Sequence, residues 1–151
     1  MLQKGDKKLI NAWAFYDWAN SVYSLVISTA VFPIYYSSLT ASFASVEGEI
    51  TFLGTQWNPT ALYDYTLALS FLIVAFISPI LSGIADYSGN KLKFLKAFCW
   101  LGSLSVMTLF FFKGEDTLWI GIVFNNLASL GFLGTIVYYN AYLLEIAFTE
   151  Q

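Results

Sequence analysis

Asp17 makes the strongest chemical demand in the sequence. It lies in Trp13-Ala14-Phe15-Tyr16-Asp17-Trp18-Ala19-Asn20-Ser21, at the start of a long apolar stretch. An ionisable side chain inside a membrane-crossing helix is expensive enough to imply either a function or a hydrated site. At about 100° per residue, Asp17, Ser21, Ser24 and Ser28 fall on one narrow helical stripe, with Asn20 at its edge. Val22, Leu25, Val26 and Phe32 occupy the other faces, where lipid or helix packing suits them. Such a stripe could line a polar cavity in which Asp17 binds a proton or a cationic group. The alternative is that Asp17 sits at the membrane interface, hydrated or capping a neighbouring helix. Trp13, Tyr16 and Trp18 fit an interfacial aromatic belt and lean towards that second reading.

The last apolar stretch repeats the arrangement. Asn125, Ser129, Tyr139 and Asn140 cluster on one side of a helix, and Gly131 and Gly134 fall on the other. Glycines there would let a neighbouring helix approach closely. The amide face either lines a polar cavity or hydrogen-bonds the first span, and two helices with polar stripes favour the cavity. Glu145 closes this stretch, where solvation is its expected fate. Cys99 has no partner cysteine and the chain has no His, so Cys99 reads as a small hydrophobe. No metal site and no cofactor is expected.

These residues must be carried by membrane helices. Hydrophobic residues make up 58% of the 151-residue chain and charged residues 11%, against about 25% charged in ordinary soluble domains. A basic tract is absent, so nucleic acid is not an expected partner. The lipid bilayer is. Four spans are expected, at 13–36, 65–85, 95–112 and 118–144. Each is helical because lipid offers the backbone no other hydrogen-bond partners. The third, bracketed by Lys96 and Lys113, is the shortest, at roughly 24 Å of helix. Its lysines can snorkel to the headgroups. With only Ser103, Ser105 and Thr108 as polar residues and a Phe110-Phe111-Phe112 run, it reads as the most lipid-exposed helix.

Orientation follows from the lysines. Lys4, Lys7 and Lys8 precede the first span, and Lys91, Lys93 and Lys96 follow the second, with Lys113 alone on the opposite side. By the positive-inside rule, both ends of the chain are cytoplasmic. Segments 1–12, 86–94 and 145–151 are then cytoplasmic, and 37–64 and 113–117 external. The larger external connection carries Glu47 and Glu49 but no Lys between Leu39 and Thr60.

The turn after the second span, Gly83-Ile84-Ala85-Asp86-Tyr87-Ser88-Gly89-Asn90-Lys91, has its own logic. Gly83 removes a side chain where the second span would press on another helix. Asp86 is an anion placed to meet helix N-terminal amides or a cation across an interface. Gly89 permits the positive φ of a tight turn, and Lys91 holds the turn on the cytoplasmic side.

Gly-x-x-Asp-x-x-Gly-x-Lys between the second and third spans resembles the cytoplasmic loop signature of the major facilitator superfamily. Tyr16-Asp17-Trp18-Ala19-Asn20-Ser21, the run from Ser78 to Gly89, and Tyr138-Tyr139-Asn140-Ala141 are similar to its vacuole effluxer-like branch, which includes autophagy-related amino-acid effluxers. The similarity runs from Asn11 onward. It implies that spans one and four face the central cavity, that span two flanks it, and that span three is peripheral. It also implies that Gly83, Asp86 and Gly89 help hold the outward-open state by docking on the opposite half. Asn90 stands where the branch usually has a basic residue, which weakens the charge network of the loop.

The expected fold is therefore an all-α membrane protein of four transmembrane helices, the N-terminal part of a major-facilitator-type bundle. The expected function is that of a portion of a secondary active transporter, not an enzyme. It would move a small metabolite, plausibly an amino acid, by alternating access with a coupling proton. The family fold has about twelve helices, so the remaining helices are expected partners and the chain is expected to be a fragment. The absence of a targeting peptide points to a bacterial inner membrane. Two other readings stand: a complete four-helix exporter that oligomerises with Asp17 as its coupling carboxylate, and a membrane assembly subunit without transport activity. The lysine bias argues against antiparallel pairing of the former.

Overall fold

The computed structural model describes residues 4–146, and the side chains of Ala85, Asp86, Ser88, Leu144 and Glu145 lie outside the described residues. Four helices are long and apolar enough to cross a membrane: Lys7–Ala41, Pro59–Ile84, Lys91–Phe111 and Glu115–Leu143. The chain is a multi-pass, all-α membrane protein.

The first of these is continuous but not uniform. It runs as α1 (Lys7–Val22), a π-helical segment (Tyr23–Val31) and α2 (Phe32–Ala41). Asp6 caps α1, its carboxylate accepting from the Lys8 N–H at 2.8 Å. α3 (Pro59–Ser88) opens with Pro at the first position and with the Asn58 side chain accepting from the Thr60 and Ala61 amides. Proline costs nothing there, because that N–H has no intrahelical partner anyway. α4 (Lys91–Thr108) tightens into a 3₁₀ turn at Leu109–Phe111, and α5 (Leu118–Ile146) follows a second such turn at Glu115–Thr117. Gly89, between α3 and α4, has φ 63°, a conformation that costs a residue with a Cβ.

The connection between α2 and α3 holds a small antiparallel hairpin, β1 (Ile50–Phe52) with β2 (Thr55–Trp57), in register Ile50–Trp57 and Phe52–Thr55. Leu53 and Gly54 both take positive φ, as a two-residue I′ hairpin turn requires. The hairpin seals an aromatic and aliphatic cluster of Phe32, Tyr36, Ile50, Leu62, Phe112, Leu118 and Ile122. Two phenols tie this end together. Tyr36 donates to the Pro59 carbonyl at 3.0 Å and Tyr35 to the Phe112 carbonyl at 2.6 Å.

α5 is the centre of the arrangement. Within its spanning window 44% is buried, against 11%, 6% and 6% for the other three in chain order. α4 therefore presents as much surface outward as α3, yet it forms the most extensive seam with α5. A Cβ on Gly131 would lie 2.5 Å from the Gly102 nitrogen and 2.6 Å from its Cα. The two backbones approach because Gly131 has no side chain, the device by which membrane helices pack closely, whereas a Cβ on Gly102 would make only an ordinary contact at 3.6 Å. Below that contact Gly134 faces the Phe98 ring, and Tyr138 stacks with Phe94 and Phe98 at 5.4 and 5.8 Å. At the far end, the Gly5 N–H donates to the Ile146 carbonyl at 2.8 Å, which sets the start of α1 beside the end of α5.

Candidate substrate and coupling site

α1 meets α5 through polar and aromatic side chains rather than through an apolar seam. The Trp13 indole lies flat on the Tyr139 ring, at 4.3 Å between centroids and 9° between planes, and its N–H donates to the Tyr139 carbonyl at 3.2 Å. Tyr16 packs on the same ring at 5.7 Å. The Tyr139 hydroxyl is enclosed without a hydrogen-bond partner among the described residues. Asp17, one turn on from Trp13, is exposed. Its carboxylate is thus open to a proton or a cation beside the Trp13–Tyr139 contact.

One turn on, the polar stripe becomes self-satisfied. Ser21 donates to the Asp17 carbonyl at 2.8 Å, and Ser24 to the Ser21 carbonyl at 3.1 Å. Their hydroxyl protons are occupied, leaving lone pairs to accept from a ligand. The π segment departs from 100° per residue, so Ser28 leaves the line continued from Asp17 and Ser21. Asn20 is half-buried and lines a cleft of about 530 Å³ between the first spanning helix, α4 and α5. Tyr16, Tyr23, Cys99 and Thr135 also reach this cleft, and Gly102 and Gly131 form part of its wall.

On α5, Asn125 and Ser129 are buried, at 3% and 4% exposure, so they serve helix contacts within this chain. Ser129 bonds the Tyr23 hydroxyl at 3.0 Å. The Tyr23–Ser129 bond joins the π segment to α5, and Ser70 of α3 bonds Asn126 beside Asn125, while Asn140 stands exposed and apart from both. Near the end of α3, Gly83 faces open space: a Cβ there meets nothing within 4 Å. Lys91 begins α4, half-buried, and the Asp86 side chain lies outside the described residues.

Sequence reasoning passed over several participants. Tyr23 is a phenol within a span, away from any obvious interface, and that depth was the available signal. Asn126, next to Asn125, accepts from Ser70 of α3 at 2.5 Å and donates to the Ile122 carbonyl at 2.6 Å. A pair of adjacent amides in a helix must face in two directions, so it can join one helix to two neighbours. Trp13 and Tyr139 could not have been paired from spacing, since 126 positions separate them.

A family profile described as "Vacuole effluxer Atg22 like" matches residues 5–148. The chain belongs to that family. It is 39% identical over 145 residues to an uncharacterized MFS-type transporter, YxiO, of Bacillus subtilis, a match that covers 96% of this chain and 32% of that protein. Autophagy-related protein 22 of Pyricularia oryzae is 32% identical over 91 residues, covering 60% and 13% of the two chains. The protein of that name from Neurospora crassa is 31% identical over 101 residues, covering 66% and 14%. No solved structure matches the chain. The chain spans about a third of the length of its bacterial relative and less of the fungal ones.

Proposed function

We propose that this chain forms the N-terminal portion of a major-facilitator-type secondary transporter that moves a small metabolite by alternating access, with both termini cytoplasmic in a bacterial inner membrane. The observation that carries the reading is the polar contact of the first spanning helix with α5: the exposed Asp17 carboxylate one turn from the Trp13–Tyr139 contact, and a part-buried Tyr23–Ser129 bond further along. Polar groups in lipid are costly unless they serve a pathway or a contact, and here the same two helices carry both kinds. The substrate class we favour is an amino acid or a related zwitterion. Asp17 would take a proton or the ammonium group, and Asn20 with the Ser21 and Ser24 lone pairs would receive the rest. The four helices supply one wall of that site, and the remaining helices of the complete transporter supply the other.

The gating role belongs to Gly83, Asp86, Gly89 and Lys91. The open space over Gly83 leaves room for a helix from the opposite half to dock without a side chain in its way.

The test is flux through the complete polypeptide in proteoliposomes under an imposed pH gradient. Asp17→Asn is expected to lower gradient-driven uptake about tenfold or more, as loss of an intramembrane carboxylate on a pathway should, while Asp17→Glu keeps part of it. Gradient-driven flux at the wild-type rate in Asp17→Asn would remove Asp17 from the coupling site.

A further inference from the structure

Pro33 interrupts the hydrogen-bond ladder of the first spanning helix. It has no N–H to offer the Thr29 carbonyl, and in an α-helix its ring would press against that carbonyl. The backbone upstream runs in π form over nine residues, Tyr23–Val31, and the Phe32 N–H donates to the Ile27 carbonyl, five residues back. Such windings ordinarily occur as single-turn bulges and are frequent at functional sites. Thr29 adds a local clasp, its hydroxyl lying 2.6 Å from the Ser24 carbonyl and 2.8 Å from that of Leu25. None of its nine residues is fully buried, and its contacts are few: Tyr23 bonds the Ser129 hydroxyl at 3.0 Å and packs on Phe132 at 5.1 Å, and Ile27 touches the aromatic cluster.

The two flanks are held very differently. Outward of the segment, Phe32 and Tyr36 are buried in the cluster sealed by the hairpin, and Tyr35 and Tyr36 donate to carbonyls of other elements. Inward of it, α1 has no buried residue. It is held to α5 by the Trp13–Tyr139 stack, the Tyr16–Tyr139 contact and the end-on Gly5–Ile146 bond.

We infer that Tyr23–Val31 is a winding hinge, in which exchange between π and α form rotates α1 about its own axis while α2 stays fixed. A π turn takes more residues than an α turn, so winding even part of the segment into α form changes the azimuth of everything inward of it. Asp17 and Asn20 then swing relative to the cleft shared with α4 and α5, while the aromatic cluster at the other end is undisturbed. This adds a moving part to the transport reading, but it rests on the backbone and on the two unequal anchors. Its test needs no substrate, so failure of the hinge and failure of the transport assignment are separate results.

The experiment measures paired nitroxide distances in the complete polypeptide in nanodiscs, with any cysteine outside these 151 residues replaced by serine. The inner pair is Phe15→Cys with native Cys99, both exposed. The outer pair is Ile34→Cys with Phe111→Cys in a Cys99→Ser background, again both exposed. The expected result is an inner distribution about twice as wide as the outer one, or bimodal, as exchange between two conformers produces. Adding Pro33→Ala and Thr29→Val should restore the ladder and release the clasp. The inner distribution should then collapse to one shifted peak while the outer peak stays in place. An inner distribution as narrow as the outer one in the unmodified backbone overturns the hinge, and that comparison needs neither hinge substitution to fold. An inner distribution unchanged by the double variant overturns it equally.

Discussion

α5 presents two unlike faces to its neighbours. Towards α4 it offers Gly131, Gly134 and Tyr138, and the helices close to backbone contact with stacked rings below. Towards the first spanning helix it offers Ser129 and Tyr139, and the contact consists of one hydroxyl pair, one indole bond and a few rings. In lipid there is no hydrophobic force between helices, so association depends on close packing and on polar contacts. The α4 seam uses the first and the α1 contact the second. Close packing is steep in distance and fixes one geometry. A few hydrogen bonds and ring contacts fix a geometry less strictly, so the α1 contact is less constrained than the α4 seam.

Substitutions on each face can break or sharpen that contrast, with stability followed by Trp fluorescence during SDS unfolding in mixed micelles. Gly131→Ala is expected to have the largest effect, about 2–3 kcal/mol, because the new Cβ meets the Gly102 backbone, which cannot rotate away. Gly134→Ala should cost less, about 1 kcal/mol, since the atom in its way belongs to the Phe98 ring and a side chain can shift. Trp13→Ala should remove the stack on Tyr139 and loosen α1 by a similar amount, about 0.5–1.5 kcal/mol. Tyr23→Phe is expected to have the smallest effect, about 0.6 kcal/mol, the usual worth of one interhelical bond in a membrane. If Tyr23→Phe destabilises as much as Gly131→Ala, the two faces are not different in kind. If Gly131→Ala is silent, the seam is not close-packed.

Much of this was readable in the residues. The four spans follow from hydropathy, and the close-approach role of Gly131 follows from a glycine set opposite a polar face. The positive φ of Gly89 follows from its place in a short turn between spans. The polar stripe of the first span was readable only as far as Ser21. Beyond it the winding changes, because Pro33 acts backwards on the turn before it, and a fixed helical period carries no such term. The hairpin in the external connection was hidden for another reason. Its strands are three residues each, too short for an alternation to register, and Leu53 occupies a turn position where Asn or Gly is the usual signal. Asn125 and Ser129 were legible as a polar pair, but whether they face a cavity or a neighbouring phenol depends on residues that stand far away in sequence.

The sequence by itself determined that the chain crosses a membrane as helices, because 58% hydrophobic residues and so few charges leave the backbone no alternative in lipid. It also determined which faces are polar, because helical period is a local property. Only the tertiary structure decided which polar face meets which neighbour. It set Trp13 on Tyr139, Tyr23 on Ser129, and Gly131 against Gly102. Those pairings depend on how three helices fill space around α5, and shape complementarity between distant segments leaves no trace in local spacing.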